Sequence, residues 1–195
     1  ELRDESYRIA CEHGFHEEEH RDEHWLMLVI TEISEAVDAD RKGRRANYSE
    51  FTKDMEEYKV FLPPEERKRL FNLYFVKYIK GSVEEELADV VIRLLDFAGL
   101  KKVDLSQIRK RDVRWETFAE QCFEVSEMIC LSPYEGVPFT ESIKQAIALL
   151  FSMAENMGVD LLSYVRMKMK YNSMRGNTSM GKSINIDNLS SYDTR

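Results

Sequence analysis

Four carboxylates stand in two short motifs, Glu32-Ile33-Ser34-Glu35 and Glu86-Leu87-Ala88-Asp89, each inside a strongly apolar stretch. Residues three apart on a helix share a face, so each motif projects two carboxylates together, and two such helices side by side gather four. Anions held that closely repel one another, and burial disfavours their charged forms further. A bound divalent cation removes both penalties, and an all-oxygen donor set selects Mg2+, with Mn2+ as the second choice. An isolated E-x-x-E is ordinarily a solvated face. Here Glu32 and Glu35 follow Trp25, Leu28 and Val29, while Glu86, Asp89, Arg93 and Asp96 fall within one arc of about 80° on a helical wheel. From Glu86 to Ala98 the remaining positions of that second stretch are apolar, among them Leu87, Val90, Val91, Leu94 and Leu95.

The elements that must carry these motifs are helical. Apolar residues recur at three-four spacing, as at Leu26, Val29, Ile30, Ile33 and Val37, and only eight glycines and four prolines interrupt the chain. We read an all-α protein, a helical bundle. One helix is predicted from about Asp22 to Arg41, stopped at Lys42-Gly43, and another from about Val83 to Ala98, with Gly99 at its end. Between them, at about 46–82, lies an insertion with its own aromatic pattern, Phe51 and Tyr58, then Phe71, Phe75 and Tyr78. Pro63 and Pro64 divide it into two helices, with Pro64 suited to the first position of the second.

The later chain reads as a worn copy of the earlier one. Phe123-Glu124-Val125-Ser126-Glu127 echoes the first motif, Ala146–Leu150 echoes Val90–Leu94, and Val159-Asp160-Leu161 echoes Val103-Asp104-Leu105. Asp104 and Asp160 are both placed to cap a following helix. In the later copy Ser142 and Gln145 stand where Glu86 and Asp89 would be, so one copy keeps the complete acidic set. Chance likeness between amphipathic helices is the competing explanation. The division expected is 1–112 for the repeat with the metal site, 113–175 for the degenerate repeat, and 176–195 for a polar tail: an internally duplicated pseudo-dimer with a helical insertion.

The run E-x-x-E, a spacer, then Glu84-Glu85-Glu86-Leu87-Ala88-Asp89 opening an apolar helix, together with Lys168-x-x-x-Asn172, Arg175 and Gly181-Lys182, resembles the all-α nucleoside triphosphate pyrophosphohydrolases, the superfamily of MazG, dimeric dUTPases, dCTP pyrophosphatases and phosphoribosyl-ATP pyrophosphatase. The likeness is closest to MazG-like proteins and runs from about His13 to Lys182. It implies that Glu32, Glu35, Glu86 and Asp89 hold Mg2+, with Glu35 and Glu86 catalytic and Glu35 the candidate general base. It further implies that Lys168, Asn172, Arg175 and Lys182 bind substrate, and that a (d)NTP is cleaved to (d)NMP and pyrophosphate, a house-cleaning activity on nucleotide pools. The spacer between the motifs is longer than the family usually shows, and Met180 stands where members often carry a histidine.

Composition limits the alternatives. A net charge of −8 disfavours nucleic-acid polymers and anionic membranes as partners. The three scattered cysteines form no disulfide or zinc pattern, and neither a spanning apolar run nor a signal-like start is present, so a cytoplasmic protein is expected, with homo-oligomers allowed. His16, His20 and His24 recur every four residues and could bind zinc or nickel, but without a second E-x-x-H they read as a solvated face or helix lead-in. Phe15, Trp25 and Trp115 could stack on a base, and at helical spacing they read as core. A catalytically inactive nucleotide-binding module and a purely structural helical protein are the rival functions.

Overall fold

Helix stop and start signals along the chain decide where its regular elements lie. The computed structural model describes residues 1–58, 62–114, 116–135 and 139–175, for 58 and 131–135 the backbone alone. Among the described residues there are eight helices and no strand: α1 (Leu2–Glu12), α2 (Asp22–Arg41), α3 (Tyr48–Tyr58), α4 (Pro64–Tyr78), α5 (Val83–Leu100), α6 (Phe118–Glu135), α7 (Phe139–Asn156) and α8 (Leu161–Ser173). Helix α2 has the bounds its sequence predicts: acidic Asp22 and Glu23 complement the positive helix start, and Gly43 at φ 63° ends it in the left-handed conformation glycine adopts without strain. Pro64 opens α4 as expected. Among the described residues no single helix is long and apolar enough to cross a membrane.

Helix α5 is the centre of the molecule. Ser82 caps it by accepting from Glu85 N at 3.2 Å, and the acidic first turn Glu84-Glu85-Glu86 lies where the helix dipole favours negative charge. It runs antiparallel to α2. Asp22 pairs with Lys101 at one end (2.5 Å), Arg93 with Glu32 midway (3.0 Å), and Val83 N donates to Arg44 O at the other end (3.1 Å). Helices α6 and α7 pack against each other and onto α2 and α5, while α1 and α8 also lie against α5. The α3–α4 insertion reaches α8, where Phe75 stacks on Tyr171 with ring centroids 4.4 Å apart.

Three local expectations change. Gly99 lies inside α5 and does not end it: a Cβ there would fall 2.5 Å from Tyr7 Cβ and 3.3 Å from Arg3 O, so this glycine marks the close approach of α1. The first helix named from the sequence begins at Asp22, and α1 precedes it, held at its start by Arg3 Nη1 donating to Val103 O at 2.6 Å. Asp160 caps α8 by accepting from Ser163 N, whereas Asp104 accepts from Ser106 N at 2.8 Å in a turn that no helix continues.

The two echoed segments end alike. Val103 N donates to Ala98 O at 2.8 Å with Lys102 at φ 56°, and Val159 N donates to Ala154 O at 2.8 Å with Gly158 at φ 71°. Both are left-handed closures that satisfy the last carbonyls of α5 and α7.

Candidate metal centre

Because α2 and α5 are antiparallel, the acidic turn of α2 meets the first turns of α5. Oxygens of Glu32, Glu35 and Glu86 lie within 4.8 Å of one another, and so do those of Glu85, Glu86 and Asp89, Glu86 belonging to both groups. The four predicted carboxylates are thus brought together, and Glu85 is a fifth that the motif reading missed. Its signal was available: Glu85 and Asp89 are four apart and share a face. Glu84 is buried as well, but its carboxylate turns away to accept from Ala46 N at 2.9 Å.

Lys168 of α8 is buried against this cluster, bonding Glu85 and, at 2.5 Å, Asp89. The α8 segment therefore reaches the acidic motifs of the earlier half. Asn172, one turn on, lines the same cavity, and its Oδ1 is buried without a partner among the described residues. Arg175 lines this cavity too, and its carbonyl oxygen accepts from His13 Nε2 at 2.9 Å. Lys182 lies outside the described residues, as does Trp115.

Electrostatics at the cluster record an excess of negative charge. Burial, then the charges of Glu85, Asp89 and Glu35, push the Glu86 carboxyl up to about 8, against the pull of Lys168. Burial likewise raises Asp89 to about 7, with Lys168 drawing it down and Glu85 and Glu32 adding to the rise. Burial works against the Lys168 ammonium, yet the adjacent Asp89 and Glu85 raise its pKa above the usual lysine value. Lys168 on Glu85 and Asp89, with Arg93 on Glu32, leaves five carboxylates short of positive charge. An oxygen-only donor set of this density fits Mg2+ or Mn2+, and the raised carboxyls are what such a set shows without a cation. Glu35 is exposed and makes no hydrogen bond or ion pair to the described residues, which leaves its oxygens open to a water.

The cluster opens into a cavity of about 330 Å³ between α1, α2, α5 and α8. The polar stripe of α5 lines it: Asp89, then Arg93, then Asp96. Arg93 bridges Glu32 and the ring of Phe15, whose centroid is 5.1 Å from the guanidinium carbon. Two expectations change here. Phe15 is 44 % exposed at the cavity and is not core, and His16 is not solvated: its Nε2 lies 2.7 Å from Asp96 Oδ1, with the ring between Tyr7 and Trp25. His20 and His24 stack on each other at 4.0 Å in the open.

In the later half, Glu124, Gln145 and Ser142 are the residues that the sequence echo sets against Glu32, Asp89 and Glu86. Glu124 is 1 % exposed and accepts from Arg111 Nη2 at 3.1 Å and Arg114 Nε at 3.0 Å, while Arg111 Nη1 donates to Gln145 at 3.3 Å. Guanidinium groups hold the carboxylate there.

No family model matches the chain, and no curated protein or solved structure shows significant similarity to it. The geometry of the site therefore carries the functional reading.

Proposed function

We propose that this chain is a Mg2+-dependent hydrolase of polyphosphates, and specifically a MazG-like nucleoside triphosphate pyrophosphohydrolase that converts a (d)NTP to (d)NMP and pyrophosphate. The observation that carries the reading is the convergence of Glu32, Glu35, Glu85, Glu86 and Asp89 beside Lys168, at the mouth of a cavity that also presents Arg93 and Arg175. Glu32, Glu35, Glu86 and Asp89 would hold the cation. When bound, it neutralises phosphate oxygens and lowers the pKa of a water. Glu35 takes the proton from the attacking water, its carboxylate being the exposed member of the cluster and free of hydrogen bonds or ion pairs to the described residues. Lys168 and Arg175 offer cations to the phosphate chain, Asn172 offers an amide, and the acidic helix turns exclude polyanions that arrive without a metal.

The pseudo-dimer forms part of the proposal. Its support is the matched closure of α5 and α7 and the bridging of Glu124 and Gln145 by Arg111 at the positions the repeat assigns to an acidic pair. On this reading the earlier repeat supplies the carboxylates, α8 of the later half supplies Lys168, and removal of surplus or damaged nucleotides is the use of the activity. The second reading, a catalytically inactive nucleotide-binding module, draws on the Lys168 ammonium, which already serves Glu85 and Asp89 as a counter-ion.

Pyrophosphate release from a panel of nucleoside triphosphates, with Mg2+ and with chelator, separates the two. The wild-type chain should turn over only with metal, and Glu86→Gln and Asp89→Asn should each lose roughly 100-fold or more. Equal rates in all three proteins would remove the site, and metal-dependent nucleotide binding without pyrophosphate release would establish the inactive module.

A further inference from the structure

The cavity does not end at the phosphate side. From Asp89 to Asp96 the α5 stripe rises two helical turns, about 10 Å, and its far end has a different chemistry. Ile9, Ala10, Ile92 and Met169 make the walls apolar there, and the other polar groups are already committed. Ser6 Oγ donates to Ile92 O at 3.0 Å, and both ring nitrogens of His13 face carbonyl oxygens, Ile9 O at 2.8 Å and Arg175 O at 2.9 Å. What remains is the carboxylate of Asp96, a residue 4 % exposed that lines the cavity, and Asn172 Oδ1. His16 Nε2 at 2.7 Å engages Asp96 Oδ1, and His16 is the hydrogen-bonding partner the described residues give that carboxylate; the second oxygen is left to a ligand.

A buried carboxylate oxygen accepts and does not donate, so a ligand that seats there must bring a donor, and one that brings a carbonyl leaves two acceptors facing each other in a dry site. A sugar hydroxyl sits close to the α-phosphate, whereas the far edge of a base reaches two turns along α5. Resting on the nucleotide reading above, we infer that Asp96, oriented by His16, is a specificity-determining residue that selects nucleobases carrying an amino group, guanine foremost, over uracil and thymine. Guanine presents its amino group beside a ring N–H, two adjacent donors for one carboxylate. Cytosine and adenine present an amino group alone. Uracil and thymine present a ring N–H flanked by carbonyls. Phe15, exposed at the cavity and already against Arg93, provides a flat surface on which a base can stack.

The test uses the full chain and the α,β-methylene analogues of GTP, ATP, CTP and UTP, with binding measured calorimetrically in Mg2+ and pyrophosphate release measured separately on the natural nucleotides. The GTP analogue should bind about tenfold or more tighter than the UTP analogue, because a site built around a hydrogen bond rejects the ligand that lacks its partner. Asp96→Asn, whose amide also donates, should narrow or reverse that ratio, and His16→Gln, which keeps a donor toward Asp96, should preserve it. Equal binding of the four analogues by the wild-type chain overturns the inference, as does an unchanged ratio in an Asp96→Asn protein whose circular dichroism melt is cooperative. A preserved amino-base preference without pyrophosphate release sinks only the hydrolase reading; turnover without base preference sinks only the Asp96 assignment. Absence of binding by every analogue overturns both.

Discussion

At the scale of single residues, Lys168 and Glu86 are the pair whose behaviour reports on the site. Lys168 is buried and gives Glu85 and Asp89 their one internal cation among the described residues. Lys168→Met should cost the metal-free protein about 3–5 kcal/mol in urea unfolding, because it strands buried charge, and excess Mg2+ should recover part of the loss. Lack of any Mg2+ effect on that variant would speak against a cation at the cluster. Glu86 predicts an unusual pH dependence. Its carboxyl is raised from 4.5 to about 8 in the folded chain, so between those values the native state holds the proton that the unfolded state has released. Stability of the metal-free protein therefore falls as pH rises through that window, the reverse of an ordinary ion-paired carboxylate. Asp89, raised from 3.8 to about 7, acts in the same direction. Mg2+ affinity should climb over the upper part of the window, since binding displaces those protons. Urea midpoints in chelator on either side of the window check the sign, and Glu86→Gln should flatten the slope.

At the scale of elements, α1 covers the cavity only because α5 lets it approach. Gly→Ala inside a helix ordinarily stabilises by about 1 kcal/mol. At Gly99 the added methyl meets Tyr7 Cβ and the Arg3 carbonyl, so Gly99→Ala should instead destabilise by about 1–3 kcal/mol as α1 is pushed off α5. Thermal melts give the sign directly, and a stabilised variant would show that α1 is free to shift. Ser6 of α1 on Ile92 O, and His16 of the α1–α2 connection on Asp96, tie this edge of the cavity to α5, so displacement of α1 should weaken nucleotide binding more than Mg2+ binding.

For the whole molecule, the two halves hold their central carboxylates by opposite means. The earlier half gathers a surplus of anions, which on the proposed function a cation from solution would answer; the later half answers Glu124 with Arg111 and Arg114. Arg111→Met should destabilise the chain by about 1–3 kcal/mol through the loss of a charged hydrogen bond on buried Glu124, while leaving Mg2+-dependent stabilisation unchanged. A change in Mg2+ response measured by differential scanning calorimetry would mean that the two centres are not independent.

The sequence by itself determined the all-helical class, the places of α2 and α4, and the acidic motifs. Three-four periodicity and the Gly43 and Pro64 signals placed α2 and α4 because they are local: they depend on backbone conformation and on which face is apolar. Glu32, Glu35, Glu86 and Asp89 were legible for the same reason, since spacing of three on a helix states a shared face without reference to any partner. Tertiary structure decided what crosses between elements. Gly99 read as a terminator because its true constraint, the Tyr7 side chain, lies on another helix. Glu85 gained its role from Lys168, eighty-three positions away, and His16 was buried by Asp96 and Trp25, neither of which its own spacing could announce. Burial and charge pairing between distant segments are properties of the packed chain, and they alone separate an acidic surface from a site that holds a cation.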